Sequence, residues 1–209
     1  PISMAAHLAL TNNDVTLWNR SAENIASLKN SKTIQAIGKI NGNARLTEVT
    51  DEIEVALADP DLVLVATPAL AHRELAILIG RHLRKDCIIV LNPGRTCGAI
   101  DFSHYYCLQN NPITPEIAET QTVMHTCRKL APDKVRILAV KDSIYLAGLG
   151  NLSNAKIVDS LPEAMREHFV PAASMIQTSI GNVGMILHCT PLLLNSGWTE
   201  NDTYAIFIA

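Results

Sequence analysis

Two apolar runs set the frame of this chain. Leu62-Val63-Leu64-Val65-Ala66 and Cys87-Ile88-Ile89-Val90-Leu91 are continuous rather than alternating, as expected of parallel strands buried on both faces. Between them, Ala69 to Leu83 is long enough for four helical turns, and Pro68 sits where a helix can begin. The same alternation is read on either side. Met4 to Leu10 is rich in helix formers, Asn12-Asn13-Asp14 reads as a stop and turn, and Val15 to Trp18 as a short strand. Ser21 reads as the N-cap of a helix from Ala22 to about Lys29. Ser31 to Asn43 is polar and reads as a loop with a short strand, Arg45 to Val49 as a strand, and Thr50-Asp51-Glu52 as a helix start. Further on, Ile100 to Gln109 is predicted helical, and Ile113 to Glu119, Val135 to Val140 and Ser143 to Leu149 are predicted strands.

Strands alternating with helices predict an α/β fold with a Rossmann-like parallel sheet. From about Ser153 the pattern changes. Ala155 to His168 and Ala172 to Leu187 are predicted helical, with Pro162 and Pro171 as boundaries. The expectation is a dinucleotide-binding domain over 1–150 and the beginning of an all-helical domain over 151–209. A helix, a tight turn and a strand at the start predict that the first strand and its glycine loop are missing. G-x-G-x-x-G is not found. Both ends read as incomplete.

Composition narrows the function. A net charge of −3 leaves no basic surplus for nucleic acid, and 4% aromatic content makes base stacking an unlikely theme. No apolar run reaches membrane-spanning length. Cys87, Cys97, Cys107, Cys127 and Cys189 include no C-x-x-C pair, so they read as reduced thiols of a cytoplasmic protein, with no metal site.

In an open parallel sheet, ligands bind beyond the carboxyl ends of the strands. There the sequence places Asn19-Arg20-Ser21, Thr67 and Pro68, Asn92, Gly94 and Arg95, and Gln121-Thr122. An acid after the second strand would hold the adenosine ribose and favour NAD. Here an amide, a guanidinium and a hydroxyl stand in its place. Arg20 can fork onto a 2′-phosphate, which favours NADP over NAD. A surface arginine beside a capping serine explains the same residues.

Met4 to Leu10, Trp18-Asn19-Arg20-Ser21, Leu91 to Thr96, Ala118 to Thr122, Cys127-Arg128-Lys129, Gly181-Asn182, Leu187-His188, Pro191 and Leu194-Asn195 together resemble the octopine/nopaline (opine) dehydrogenase family. The resemblance covers nearly the whole chain. It implies a Rossmann domain followed by a helical one, and NAD(P)H-dependent reductive condensation of an amino acid with a 2-oxo acid such as pyruvate. It implies cofactor contacts at the strand ends. It also implies that His188 is the catalytic histidine, and that Gln121, Cys127 and Asn182 lie near the substrate.

His188 has a physical case of its own. It shares a helical face with Gly181, Gly184 and Met185, and Pro191 places it in the last turn of its helix. A histidine near neutral pKa can move a proton as water leaves a carbinolamine. Without the resemblance, a satisfied helix-end histidine is the simpler reading. His7, His82 and His168 read as helix surface; His72, His104 and His125 are left open. Two further function classes stand beside the first. One is a glycerol-3-phosphate/ketopantoate-type dehydrogenase, which shares the Rossmann half but uses a lysine where this helix offers His188. The other is an inactive nucleotide-binding remnant.

Overall fold

The two aliphatic runs lie side by side in parallel register, Leu62 opposite Ile88 through Val65 opposite Leu91. In the computed structural model, which describes residues 1–181 and the pairs 189–190 and 193–194, the chain opens with α1 (Ile2–Leu10). It continues through β1 (Thr16–Trp18), α2 (Ala22–Ser31), β2 (Thr33–Gly38), β3 (Gly42–Arg45), β4 (Glu48–Thr50) and α3 (Ile53–Ala56). Next come β5 (Leu62–Val65), a 3-10 turn at Ala69–Ala71, α4 (His72–His82), β6 (Ile88–Leu91), α5 (Gly98–Cys107) and β7 (Glu116–Thr120). The remaining elements are β8 (His125–Ala131), β9 (Lys134–Val140), β10 (Ile144–Gly148), α6 (Asn154–Asp159), α7 (Glu163–Arg166), β11 (Phe169–Pro171) and α8 (Met175–Ile180).

The main sheet has the order β11-β10-β7-β6-β5, with β5, β6 and β7 parallel and β10 antiparallel to β7. The Rossmann-like α/β expectation holds here. Along β6 the side chains alternate between two cores, as the pleat requires. Ile89 and Leu91 pack with Ala76, Ile79, Phe102 and Tyr106 of α4 and α5, while Val90 packs with Met4 and Leu8 of α1. Among the described residues β1 pairs only with β4, and β5 is the last strand of the main sheet, so each has one edge without a described partner.

The second sheet, β3-β2-β9-β8, was largely hidden in the sequence. Residues 31–43 hold most of a hairpin where the pattern predicts a loop with one short strand, and the pattern gives no strand at β8. The reason is visible in the burial. β8 is an edge strand, and Thr126, Arg128, Lys129 and Leu130 are exposed. Edge strands carry charge to discourage further pairing, which erases the apolar signal. Helix α1 lies between the two sheets. Ala5 and Ala6 pack with Ile34, Ala36, Val135 and Ile137, and Met4 and Leu8 face the main sheet.

The residues that follow 151 pack on the main sheet. The predicted helix over 155–168 is two short helices separated at Ser160–Pro162, and Phe169–Pro171 adds a strand parallel to β10. Ile157, Val158, Leu161, Met165 and Phe169 share one core with Val90, Ala118 and Leu146. Burial against the sheet overrides helical continuity. Pro171 is tolerated because β11 is at the edge.

Candidate functional site

The carboxyl ends of β5, β6 and β7 are stitched into one rim by backbone and side-chain bonds. The Asn92 amide donates to Val65 O at 2.9 Å, and the Gly94 amide to Thr120 O at 3.1 Å. Thr120 Oγ1 donates to Leu91 O at 3.3 Å and to Thr122 O at 3.0 Å. Asn92 Oδ1 accepts the Met124 amide at 3.3 Å. Thr67, Pro68, Asn92, Gly94, Arg95 and Gln121 thus come to the same end of the sheet, as the sequence reading expected.

Beneath the rim lies Glu119, fully buried. It accepts from the Ala99 amide at 2.9 Å, Thr178 Oγ1 at 2.8 Å and Ser179 Oγ at 2.6 Å. Three elements, β7, α5 and α8, meet on one carboxyl group. Gly94 has a structural reason to be glycine, since a Cβ there would overlap the Glu119 Cβ and Oε2. Gln121 Nε2 donates to Gly181 O at 2.9 Å, a second tie between the rim and the residues after α8. Glu119 stood inside a quoted motif, but no spacing rule marked it as a buried hub.

Three side-chain atoms at these strand ends are buried with no partner among the described residues: Thr67 Oγ1, His72 Nε2 and Asn92 Nδ2. Buried polar atoms are usually satisfied, and orphans cluster where something polar binds nearby. Burial pushes His72 below the ordinary histidine value. Thr67's backbone and the charges of Asp101 and Glu119 pull the other way. Lys141, which the sequence reading passed over, is half-buried at the same rim, its Nζ donating to Thr122 Oγ1 at 2.9 Å.

After β1, the Asn19 amide donates to Thr50 O, and Asn19 Oδ1 accepts the Ser21 amide at 2.9 Å. Ser21 occupies the N-cap position of α2, but its hydroxyl makes no cap bond. Arg20 Nη1 pairs with Glu74 Oε2 at 2.6 Å, both side chains largely exposed. Cys127 is not brought to the rim. It lies in β8, with its sulfur 3.5 Å from Ser3 Oγ of α1. His188 and Asn182 lie outside the described residues.

Two other histidines differ from expectation. His7, read as helix surface, is buried, with Nδ1 3.1 Å from Nε2 of buried His125. His168 follows α7 rather than lying on a helix surface, and its Nδ1 is 2.6 Å from Asp142. Among the described residues no group of three or more metal-ligating side chains is placed to hold an ion. No described helix is long and apolar enough to cross a membrane.

The fold and its rim define a Rossmann-like α/β protein whose polar residues gather at the strand carboxyl ends. Residues 3–95 match the family described as ketopantoate reductase PanE/ApbA. Over nearly its whole length the chain is similar to an opine dehydrogenase from Arthrobacter sp. (strain 1C), 29% identical over 202 residues, covering 96% of this chain and 56% of that protein. Among solved structures, octopine dehydrogenase in complex with NADH and L-arginine superimposes with a TM-score of 0.75 at 15% identity, covering 98% of this chain and 53% of that one. Yersinopine dehydrogenase with NADP+ bound gives 0.73 at 16% identity, covering 92% and 50%. The likeness to opine dehydrogenases drawn from the motifs holds. The chain spans about half the length of these relatives.

Proposed function

We propose that this chain carries the dinucleotide-binding half of a cytoplasmic NAD(P)H-dependent dehydrogenase of the opine type. Such an enzyme condenses the amino group of an amino acid with the carbonyl of a 2-oxo acid such as pyruvate. Water is lost, and the resulting imine is reduced. The observation that carries the reading is the set of partnerless buried atoms, Thr67 Oγ1 and Asn92 Nδ2, at the ends of adjacent parallel strands. A dinucleotide crosses that end of a Rossmann sheet.

The bound cofactor supplies the hydride. This chain's residues bind and orient. Thr67, Pro68, Asn92, Gly94 and Arg95 flank the strand ends, and Gln121 lines the side toward α8. Asn19, Arg20 and Ser21 follow β1 and address the adenosine end, with Arg20 suited to a 2′-phosphate and so to NADP. His188 handles the proton as the carbinolamine loses water, and Asn182 is a further substrate candidate.

The test is turnover in the full-length protein. NADH and NADPH oxidation are followed with pyruvate and a panel of amino acids. Consumption that requires both the oxo acid and an amino acid is expected, and His188→Ala should lower kcat by about 10²-fold with cofactor affinity kept. Turnover that needs no amine would sink the opine reading. The family match over residues 3–95 favours a second reading, a ketopantoate-type reductase, which would reduce ketopantoate without an amine.

A further inference from the structure

Lys141 follows β9, and two bonds hold it against the connection between β7 and β8. Its amide donates to Met124 O at 2.9 Å, and its Nζ donates to Thr122 Oγ1 at 2.9 Å. The same connection is tied to the loop after β6, through Gly94 to Thr120 and Met124 to Asn92. That loop carries Arg95 one residue beyond Gly94. Two cationic side chains therefore stand on adjoining loops at the carboxyl ends of β6 and β7.

Among the described residues no carboxylate forms an ion pair with Arg95 or Lys141. Glu119, the acid beneath the rim, already accepts three hydrogen bonds from other groups. Burial lowers the Lys141 ammonium from its ordinary value, and Arg95 lowers it further. A half-buried ammonium beside an exposed guanidinium gains when an anion joins the two. Asn92 adds a further donor, since its Nδ2 is buried without a partner among the described residues while its Oδ1 is taken by Met124. A lysine that merely lies along the surface would reach for water or an acid. This one is held on a threonine hydroxyl in a part-buried bond.

We propose that Lys141 and Arg95 form an oxyanion subsite at the ends of β6 and β7, binding a carboxylate or a phosphate oxygen. Opposite charge and directed N–H donors are what such a group needs. The identity of the anion rests on the opine-type reading, in which a 2-oxo acid brings a carboxylate and the cofactor brings phosphates. The existence of the subsite does not.

The test is lysine acylation of the chain by an amine-reactive reagent, with modification at each lysine measured by mass spectrometry. Millimolar pyruvate, millimolar pyrophosphate and sodium chloride of equal ionic strength are compared. Lys141 should be modified at least 5-fold more slowly with one of the two anions, while exposed Lys39 and Lys156 stay unchanged. Protection by pyruvate assigns a substrate carboxylate; protection by pyrophosphate alone assigns the cofactor's phosphates. Equal slowing at all three lysines means an adventitious ion only, and with no slowing at all it overturns the proposal. In the full-length protein, Lys141→Met should raise either the KM for the oxo acid or the Kd for NAD(P)H at least 10-fold, with Lys141→Arg restoring most of it. An active Lys141→Met enzyme with both constants unchanged also overturns it. If the wild-type protein shows no condensation, the functional reading fails, and the acylation result still decides the subsite.

Discussion

Ser179 donates its hydroxyl to Glu119 at 2.6 Å, joining α8 to a carboxyl group 60 residues earlier in the main sheet. With Thr178 and the Ala99 amide on the same carboxyl, the contact fixes where α8 leaves the Rossmann core. Removing the acceptor strands the Ala99 amide and the Ser179 hydroxyl, while Thr178 Oγ1 keeps Met175 O at 2.9 Å. Each buried donor left unpaired costs about 1–3 kcal/mol. Glu119→Ala should therefore lose about 3 kcal/mol or more in urea denaturation, and speed proteolysis around α8. Glu119→Gln keeps a carbonyl acceptor and should lose less. A loss within 1 kcal/mol for Glu119→Ala would show that α8 is held by other contacts.

Gly94→Ala should act through the same carboxyl. The new Cβ overlaps the Glu119 Cβ and Oε2, so Glu119 must leave its partners. Overpacking of this kind costs about 1–3 kcal/mol. The two substitutions should not add. Gly94→Ala in a Glu119→Ala background should cost less than alone, because the overlap with Oε2 is gone and only that with the Cβ of residue 119 remains. Strict additivity would mean that Gly94 matters for its backbone and not for the space it leaves.

Acid should destabilise the chain through His7 and His125. Burial pushes His125 down to about 4, with His7 and His168 adding repulsion, and burial also lowers His7. Glu167 partly offsets this at His7, and both Asp142 and Glu167 pair with His168. Both buried rings therefore prefer the neutral form when folded. Their contribution is fully present above the unfolded value of about 6.5 and is lost as pH falls from there toward 4. For His125 the loss is on the order of 3 kcal/mol across that window. Denaturation midpoints at pH 7.5, 6 and 5 would measure it. His125→Gln should flatten the dependence; an unchanged slope would place the acid sensitivity elsewhere.

Cofactor choice should respond to the pair Arg20–Glu74. An exposed pair of this kind is worth less than about 1 kcal/mol, so a 2′-phosphate can displace Glu74 from Arg20. In the full-length protein, Arg20→Ala should raise the Kd for NADPH several-fold and leave NADH nearly unchanged. Glu74→Gln should tighten NADPH modestly by removing the competitor. Equal effects on both cofactors would make Arg20 a surface residue.

The parts legible in the sequence were those whose signal is local. Leu62–Val65 and Ile88–Leu91 are strands because an unbroken aliphatic run of that length is soluble only when covered on both faces. Asn92, Gly94 and Arg95 could be placed at a strand end because polar turn residues directly follow such a run. The hairpin Thr33–Arg45 was legible only as one short strand in a loop and strand His125–Ala131 not at all, since their outward residues are polar and β2 pairs with the distant β9.

The sequence by itself determined the α/β alternation, the end of the sheet that carries the site, and the likeness to opine dehydrogenases. Each of these follows from residues that are neighbours along the chain. The tertiary structure alone decided that residues 154–172 complete the main sheet's core, that α1 is buried between two sheets, and that Glu119 and Lys141 belong to the rim. Those outcomes depend on which distant residues share a hydrogen bond or exclude water together. A buried acid and an exposed one, or a lysine held on a threonine and one in solvent, are the same letters until the fold brings Ser179 to Glu119 and Thr122 to Lys141.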